Sequence, residues 1–277
     1  MQKANILTIN FLHLLRGGAF EETKPIGLLS AYKWAKLVSL AAKHGLTQIL
    51  ASGLERYYYD DNMNIPAQQI DVIKEQLKTV PTAGFSDLYD FSKLHLQSKK
   101  YNTQLQQIIH SEYTDEEKSY ETMQVMAIII VNVDHILTGK SYLKGIIDLG
   151  RYLRIEGGKV DFVKLENWLS KCGMTKMANL QGSLLITGFG FSREELPFMT
   201  RPEKDVWPEL LRAISSDDIS HIRPWQLHEN TGGFLVGNPS TAMRSIRHTF
   251  RYRRYSARET FSTIYRGIMK ELSEIEE

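Results

Sequence analysis

The sequence predicts an all-α fold, a multi-helix bundle, and three observations carry that prediction. Apolar residues recur at three- and four-residue spacing through most of the chain, which is the period of one helical face. No segment alternates apolar and polar residues up to a hairpin turn, and no tandem repeat recurs at a fixed period. Finally, Val125–Val131 is apolar nearly all round, as suits a helix buried on every side at the centre of a core.

In chain order, Ile6, Ile9, Leu12, Leu14 and Leu15 mark an opening amphipathic helix that Gly17 and Gly18 are expected to end. Trp34, Leu37, Val38 and Ala41 share a face of a second helix over Tyr32–His44, with Gly45 placed as its cap. Thr47 is positioned to cap a third helix carrying Ile49, Leu50 and Leu54. Ile70, Ile73, Leu77 and Val80 form a short helix that ends at Pro81. Phe85–His110 reads as one long helix whose hydrophilic middle, QSKKYNTQ, reaches into solvent. Thr114 with Glu117 has the spacing of a capping box for the next helix.

The stretch Tyr120–Leu153 then predicts a buried helical hairpin, turning at Thr138–Ser141. Asp134, His135 and Asp148 are its polar groups near the corner. Asp161–Lys171 gives a helix with Phe162, Leu165 and Leu169 inward, and Leu180, Leu184, Leu185 and Phe189 continue the pattern. Ser192–Glu195 has capping-box spacing again, and Val206–Ile214 is a further helix. Residues 215–240 read as an irregular loop, and Arg244–Ile268 as one or two basic helices before an acidic end. The division expected is an N-terminal helical subdomain, 1–112, and a C-terminal one, 113–277, carrying the basic helices; the two could also form one continuous domain.

Composition narrows the function. A net charge of +2 over 277 residues does not imply nucleic acid or anionic membrane as a bulk partner, so a local patch has to carry any such claim. No run approaches the ~18 apolar residues of a membrane span, and the opening apolar run contains His13 and Arg16 without a small-residue cleavage site. A reducing cytoplasm is expected, with no membrane partner. The single cysteine, Cys172, excludes an intramolecular disulfide and suits a small buried hydrophobe. The eight histidines include no H-x-x-x-H pair, so no metal site is expected. Gly139-Lys140-Ser141 resembles the tail of a phosphate loop, but position 134 is Asp where the leading glycine is needed. No cofactor is expected.

Two groups of residues remain as candidates. Asp134, His135 and Asp148 suit an acid–base set in a pocket, although mutual satisfaction or capping inside the core is the favoured reading. Arg247, Arg251, Arg254 and Arg258 recur at helical spacing, with Tyr252 and Tyr255 between them and no acid from 230 to 258. Guanidinium forks and aromatic faces suit phosphate or nucleic acid. The near-neutral overall charge favours instead pairing of these arginines with carboxylates elsewhere on the surface, or the laying of their stems across apolar surface, which makes nucleic acid the second choice.

The blocks FLHLL…WAKLVSLAAKHGLTQILASGLERY and VNVDHILTGKSYLKGIIDLGRYLRIEGGKVDFVKLENWLSKCGMTKMANLQGSLLITGFGFSREELPF resemble an uncharacterised bacterial nucleotidyltransferase-like family, a branch of the polymerase-beta-like transferases. The resemblance includes Asp148 in "DL", Asp161 before a helix, and the arginine-rich stretch Arg247–Glu259. It implies the helical flanks of such a transferase. The family's Asp-x-Asp strand belongs between about His110 and Tyr120, where this chain has only SEYTDEEKS, and no Asp-x-Asp occurs anywhere. No catalytic residue carries over, because two carboxylates on a strand are needed to hold the metal ions. The expectation is therefore a non-catalytic binding or scaffold protein with a protein partner of unknown identity. Nucleic-acid or phosphate binding through the arginines is the second reading, and a residual nucleotidyltransferase the third.

Overall fold

The computed structural model describes residues 5–57, 64–79, 89–114, 119–215, 228–229, 235–236 and 239–273. Twelve α-helices are found among them: α1 Ile6–Phe20, α2 Ala31–Lys43, α3 Thr47–Glu55, α4 Ala67–Thr79, α5 Lys99–Thr114, α6 Tyr120–Thr138, α7 Leu143–Glu156, α8 Phe162–Lys171, α9 Thr175–Phe189, α10 Trp207–Ser215, α11 Pro239–Phe250 and α12 Ala257–Ser273. Strand among the described residues is limited to an antiparallel bridge of His228–Glu229 with Leu235–Val236. The fold is all-α.

Helix α6 is the centre. Val125, Ala127, Ile128 and Ile129 have no exposed surface, and α7, α8, α9, α11 and α12 all pack against this helix. Its end is set by Gly139, whose φ of 76° is in the left-handed region that side chains resist. The chain then turns into α7, giving the hairpin that the sequence predicts. One hydrophobic core runs from Phe11 to Tyr255 and includes residues from both sides of the 112/113 division. No helix among the described residues is long and apolar enough to cross a membrane.

Five local expectations need correction. The glycine pair in α1 does not end that helix, which continues to Phe20 and stops at Glu21 in the left-handed region, φ 62°. Gly18 instead permits close approach: a Cβ there would stand 1.8 Å from the Ile49 carbonyl oxygen, and one at Gly53 would stand 2.0 Å from that of Leu14. Helices α1 and α3 are thus in backbone contact. Thr47 opens α3 without capping it; its hydroxyl donates to Gln76 at 3.4 Å, and no side-chain cap is made.

The expected long helix over Phe85–His110 is broken. Residues 81–88 lie outside the described residues, Phe91–Lys93 is a single 3-10 turn, and α5 begins only at Lys99. Ser98, expected on a solvent-facing stretch, is 3% exposed. The start of α5 is fixed from elsewhere: the Glu259 carboxylate accepts the backbone N–H groups of Gln97 at 2.5 Å and Ser98 at 2.9 Å. A remote carboxylate serves amides that precede a helix, and no local pattern announces it.

Thr114 is the last residue of α5 rather than a cap, its hydroxyl donating back to the His110 carbonyl; residues 115–117 lie outside the described residues. Ser192 does donate its N–H to Glu195 at 2.7 Å, but through a turn with no helix following. Most of the expected loop 215–240 also lies outside the described residues.

Candidate functional site

The basic stretch near the end of the chain is held against α6 by a set of buried polar bonds. The carbonyls of a helix's last turn lack partners within the helix. His248 donates from Nε2 to the Ile136 carbonyl at 2.8 Å, and Thr249 from its hydroxyl to that of Leu137 at 2.8 Å. Helix α11 thereby satisfies the end of α6. One turn further on, Tyr252 donates its phenol to the Glu209 carboxylate. That carboxylate also accepts from the Tyr142 phenol at 2.9 Å and from Arg212 at 3.0 and 2.6 Å. Burial opposes the charge on Glu209, but hydrogen bonds from Tyr252 and Arg212 outweigh it and hold the pKa below the ordinary value. Burial lifts the Tyr142 and Tyr252 phenols well above theirs, so they remain donors.

This anchoring decides what the arginines do. They do not line one continuous helix: Arg247 is on α11, Arg251 and Arg254 are in a 3-10 turn, and Arg258 is in the first turn of α12. The inward side of the turn is Tyr252, 1% exposed, and Tyr255, 7% exposed, which forces the flanking arginines outward. Arg244, Arg247, Arg251, Arg253, Arg254 and Arg258 are all exposed. Arg253 lies over the Phe250 ring at 4.3 Å, Arg254 over Tyr255 at 4.6 Å, and Arg258 over Tyr101 at 5.9 Å. Of the two alternatives expected for them, carboxylate pairing is not found among the described residues, whereas contact with apolar surface is made by Arg253, Arg254 and Arg258 at these rings. Other surface cations contrast with this: Arg16, Arg56, Arg154, Arg212, Lys140, Lys144, Lys159 and Lys164 each meet a carboxylate.

Beside this surface, a groove of about 220 Å³ runs between α11 and α12. Ile246, Ile264 and Ile268 form its apolar wall, and Gln97, Thr138 and Arg266 close one side. Arg266 donates to the Gln97 side chain at 2.6 Å.

The other candidate set has a different fate. Asp134 pairs with Lys140 at 3.1 Å, and Asp148, which is 5% exposed, pairs with Lys144 at 2.6 Å. His135 is half-buried in the last turn of α6. Each acid therefore carries a lysine ammonium in its own locality, which is neither the acid–base set nor the mutual satisfaction or capping weighed for them. Gly139-Lys140-Ser141 is the turn between α6 and α7. Burial pushes the Cys172 thiol up to about 12, so it is an inert core group. No group of three or more potential metal ligands occurs among the described residues.

Sequence reasoning located the arginines but missed Glu209, Tyr142 and Glu259, which share no spacing with them. It also missed the exposed rings of Phe250, Phe261 and Tyr265. The recurrence of Phe261, Tyr265, Ile268 and Met269 after Arg258 was the available signal for α12. Compared with known proteins, the chain matches no family model, no curated protein and no solved structure.

Proposed function

We propose that this chain is a non-catalytic binding protein whose ligand is a phosphate-bearing polyanion, single-stranded RNA or DNA, held by the surface of Arg247, Arg251 and Arg254. One observation carries the reading: these guanidinium groups are exposed and without carboxylate partners among the described residues, whereas Arg16, Arg154 and Arg212 each meet one. Unpaired arginines concentrate positive potential over a short stretch, which the net charge of +2 conceals. Arg253 and Arg244 extend the patch, and the exposed Phe250 ring offers a face on which a base can stack.

The turn that presents the arginines is tied to α6 and α10 through buried bonds, so the patch is preorganised on rigid elements. The resemblance to the helical flanks of nucleotidyltransferase-like proteins agrees with a role in binding, since it supplies helices and no paired carboxylates on a strand.

The test is fluorescence anisotropy with a labelled oligo(U) across a salt series. Each phosphate contact on a single strand contributes about 0.7 to the slope of log K against log salt. Replacing Arg247, Arg251 and Arg254 together by Gln is expected to weaken binding and flatten the slope by about 2. An unchanged slope in the triple variant, or no binding by the parent chain at low salt, would reject the reading.

A further inference from the structure

The groove between α11 and α12 is lined by hydrogen-bonding groups of fixed sense, and that sense decides what can sit in it. A threonine hydroxyl has one hydrogen to give and lone pairs to offer. Thr138 gives its hydrogen to the Asp134 carbonyl at 2.7 Å, Thr249 to that of Leu137 at 2.8 Å, and Thr263 to that of Glu259 at 2.9 Å. All three line the groove, so toward anything entering it they act as acceptors. The donors are Arg266 and Gln97. Arg266 donates to the Gln97 amide oxygen at 2.6 Å, which leaves the guanidinium its other N–H groups and Gln97 its amide N–H groups. Ser245 can donate or accept and serves either kind of ligand atom. Ile246, Ile264 and Ile268 form an apolar wall against which a ring can lie.

This set has a definite complement. At about 220 Å³ the groove is smaller than the ~300–1,000 Å³ that encloses a drug-sized molecule, so it suits one ring system of a longer ligand. A flat ring with a C=O beside a ring N–H satisfies both kinds of group: its oxygen accepts from Arg266 or Gln97, and its N–H donates to a threonine oxygen. Guanine and uracil (thymine in DNA) carry this edge. In adenine and cytosine the corresponding ring nitrogen is an acceptor and would set lone pair against lone pair at a threonine. Polar groups left unpaired in this way cost more than a contact merely absent. The groove is also within reach of the arginines. Ile246 stands four residues before the exposed Phe250, about 6 Å along the axis of α11, and Arg247 follows it directly. We propose that the groove is a base-reading subsite that seats one guanine or uracil of a bound single strand. This assignment rests on the polyanion surface proposed above: the arginines hold phosphates and supply affinity, and the groove supplies selectivity.

Fluorescence anisotropy at one low salt concentration, with labelled oligo(U), oligo(C), oligo(A) and an oligo(C) carrying one central guanosine, is the test. Oligo(U) and the guanosine-bearing strand are expected to bind at least about tenfold more tightly than oligo(C) and oligo(A). Oligo(U) methylated at N3 lacks the donor and is expected to fall to the level of oligo(C). Thr263→Val removes one acceptor and Ile264→Trp fills the groove; each is expected to abolish the preference while the salt dependence stays. Replacing Arg247, Arg251 and Arg254 by Gln is expected to do the reverse, lowering affinity for every strand and keeping the preference. Circular dichroism verifies that the variants keep their fold. A preference confined to one of the two bases sustains the subsite and names its base. Equal binding of all four strands overturns the subsite and leaves the arginine surface standing, as does a preference unmoved by both Thr263→Val and Ile264→Trp. No binding of any strand at low salt overturns both.

Discussion

Tyr252, in the arginine-rich turn, donates its phenol hydrogen to Glu209 on α10, and both residues are buried. Through this bond the outward arginines are referred to the core, because Glu209 also binds Tyr142 at the hairpin corner. Three elements distant in sequence therefore share one carboxylate. Removing it leaves two buried phenols and the Arg212 guanidinium without their common acceptor. Glu209→Ala is expected to destabilise the chain by about 3–5 kcal/mol, in the range for breaking a buried charge network. Tyr252→Phe removes one donor while Tyr142 and Arg212 still serve the carboxylate, so about 1–2 kcal/mol is expected. Urea unfolding distinguishes the two. Equal costs would show that Glu209 does not organise the network.

Acid should loosen the fold in two stages. His44 is buried at the end of α2; its Nδ1 accepts from the Ser141 hydroxyl at 2.6 Å and its Nε2 donates to the Ile214 carbonyl at 2.9 Å. Burial, aided by Lys43, holds its pKa below the ordinary 6.5. His248 is lowered too, by burial first and then by Arg251 and Arg212, against the opposing pull of the Ile136 carbonyl and Glu209. For both, the unfolded chain binds a proton before the folded one does, so stability is lost as pH falls below about 6.5. Glu209 has the same sign at lower pH, its contribution present above 4.5 and lost through its depressed folded pKa. Glu259 opposes them: burial raises its pKa despite the Gln97 and Ser98 amides, so its effect declines as pH rises from 4.5. His248→Gln keeps a donor for Ile136 and cannot titrate. It is expected to reduce the slope of stability against pH between 7 and 5 by up to about 1.4 kcal/mol per pH unit. An unaltered slope in urea titrations at each pH would contradict the assignment.

The hairpin of α6 and α7 was legible because its signal is local: an all-round apolar run, a Gly139 turn, then apolar residues at helical period. The exposed arginines were legible for the same reason. Their state was not, because whether a guanidinium finds a carboxylate depends on which helices come together. Glu259 shows the difficulty most directly. It sits in a basic stretch and reads as surface, yet it serves the amides before α5, more than 160 residues away in sequence. Thr47 and Thr114 have the composition of caps, and tertiary packing and the preceding helix respectively took the positions that capping required. The pattern of α12 was visible, but which face pointed outward was fixed only by the packing of Thr260 and Glu259 against the body.

The seam between α1 and α3 gives the last prediction, and it turns on why Gly18 does not stop its helix. Glycine in a helix interior costs about 1 kcal/mol relative to alanine, so replacement should stabilise α1 if propensity alone mattered. Here an added methyl would meet backbone, the Ile49 carbonyl at 1.8 Å. Backbone cannot rotate away as a side-chain tip can, so the two helices must separate and open the core around Leu14, Leu15 and Leu50, all fully buried. Overpacking of this kind costs ~1–3 kcal/mol or more. Gly18→Ala is expected to lose about 2 kcal/mol net and to lower Tm by about 4–8 °C. Gly53→Ala, whose methyl would meet the Leu14 carbonyl at 2.0 Å, should behave alike. The control is Gly157→Ala: nothing lies within 4 Å of a Cβ there and φ is −57°. That change should be neutral or stabilise by up to about 1 kcal/mol through the unfolded chain. Thermal unfolding of the three variants side by side decides the matter, and a Gly18→Ala variant as stable as Gly157→Ala would mean that α1 and α3 are not in backbone contact.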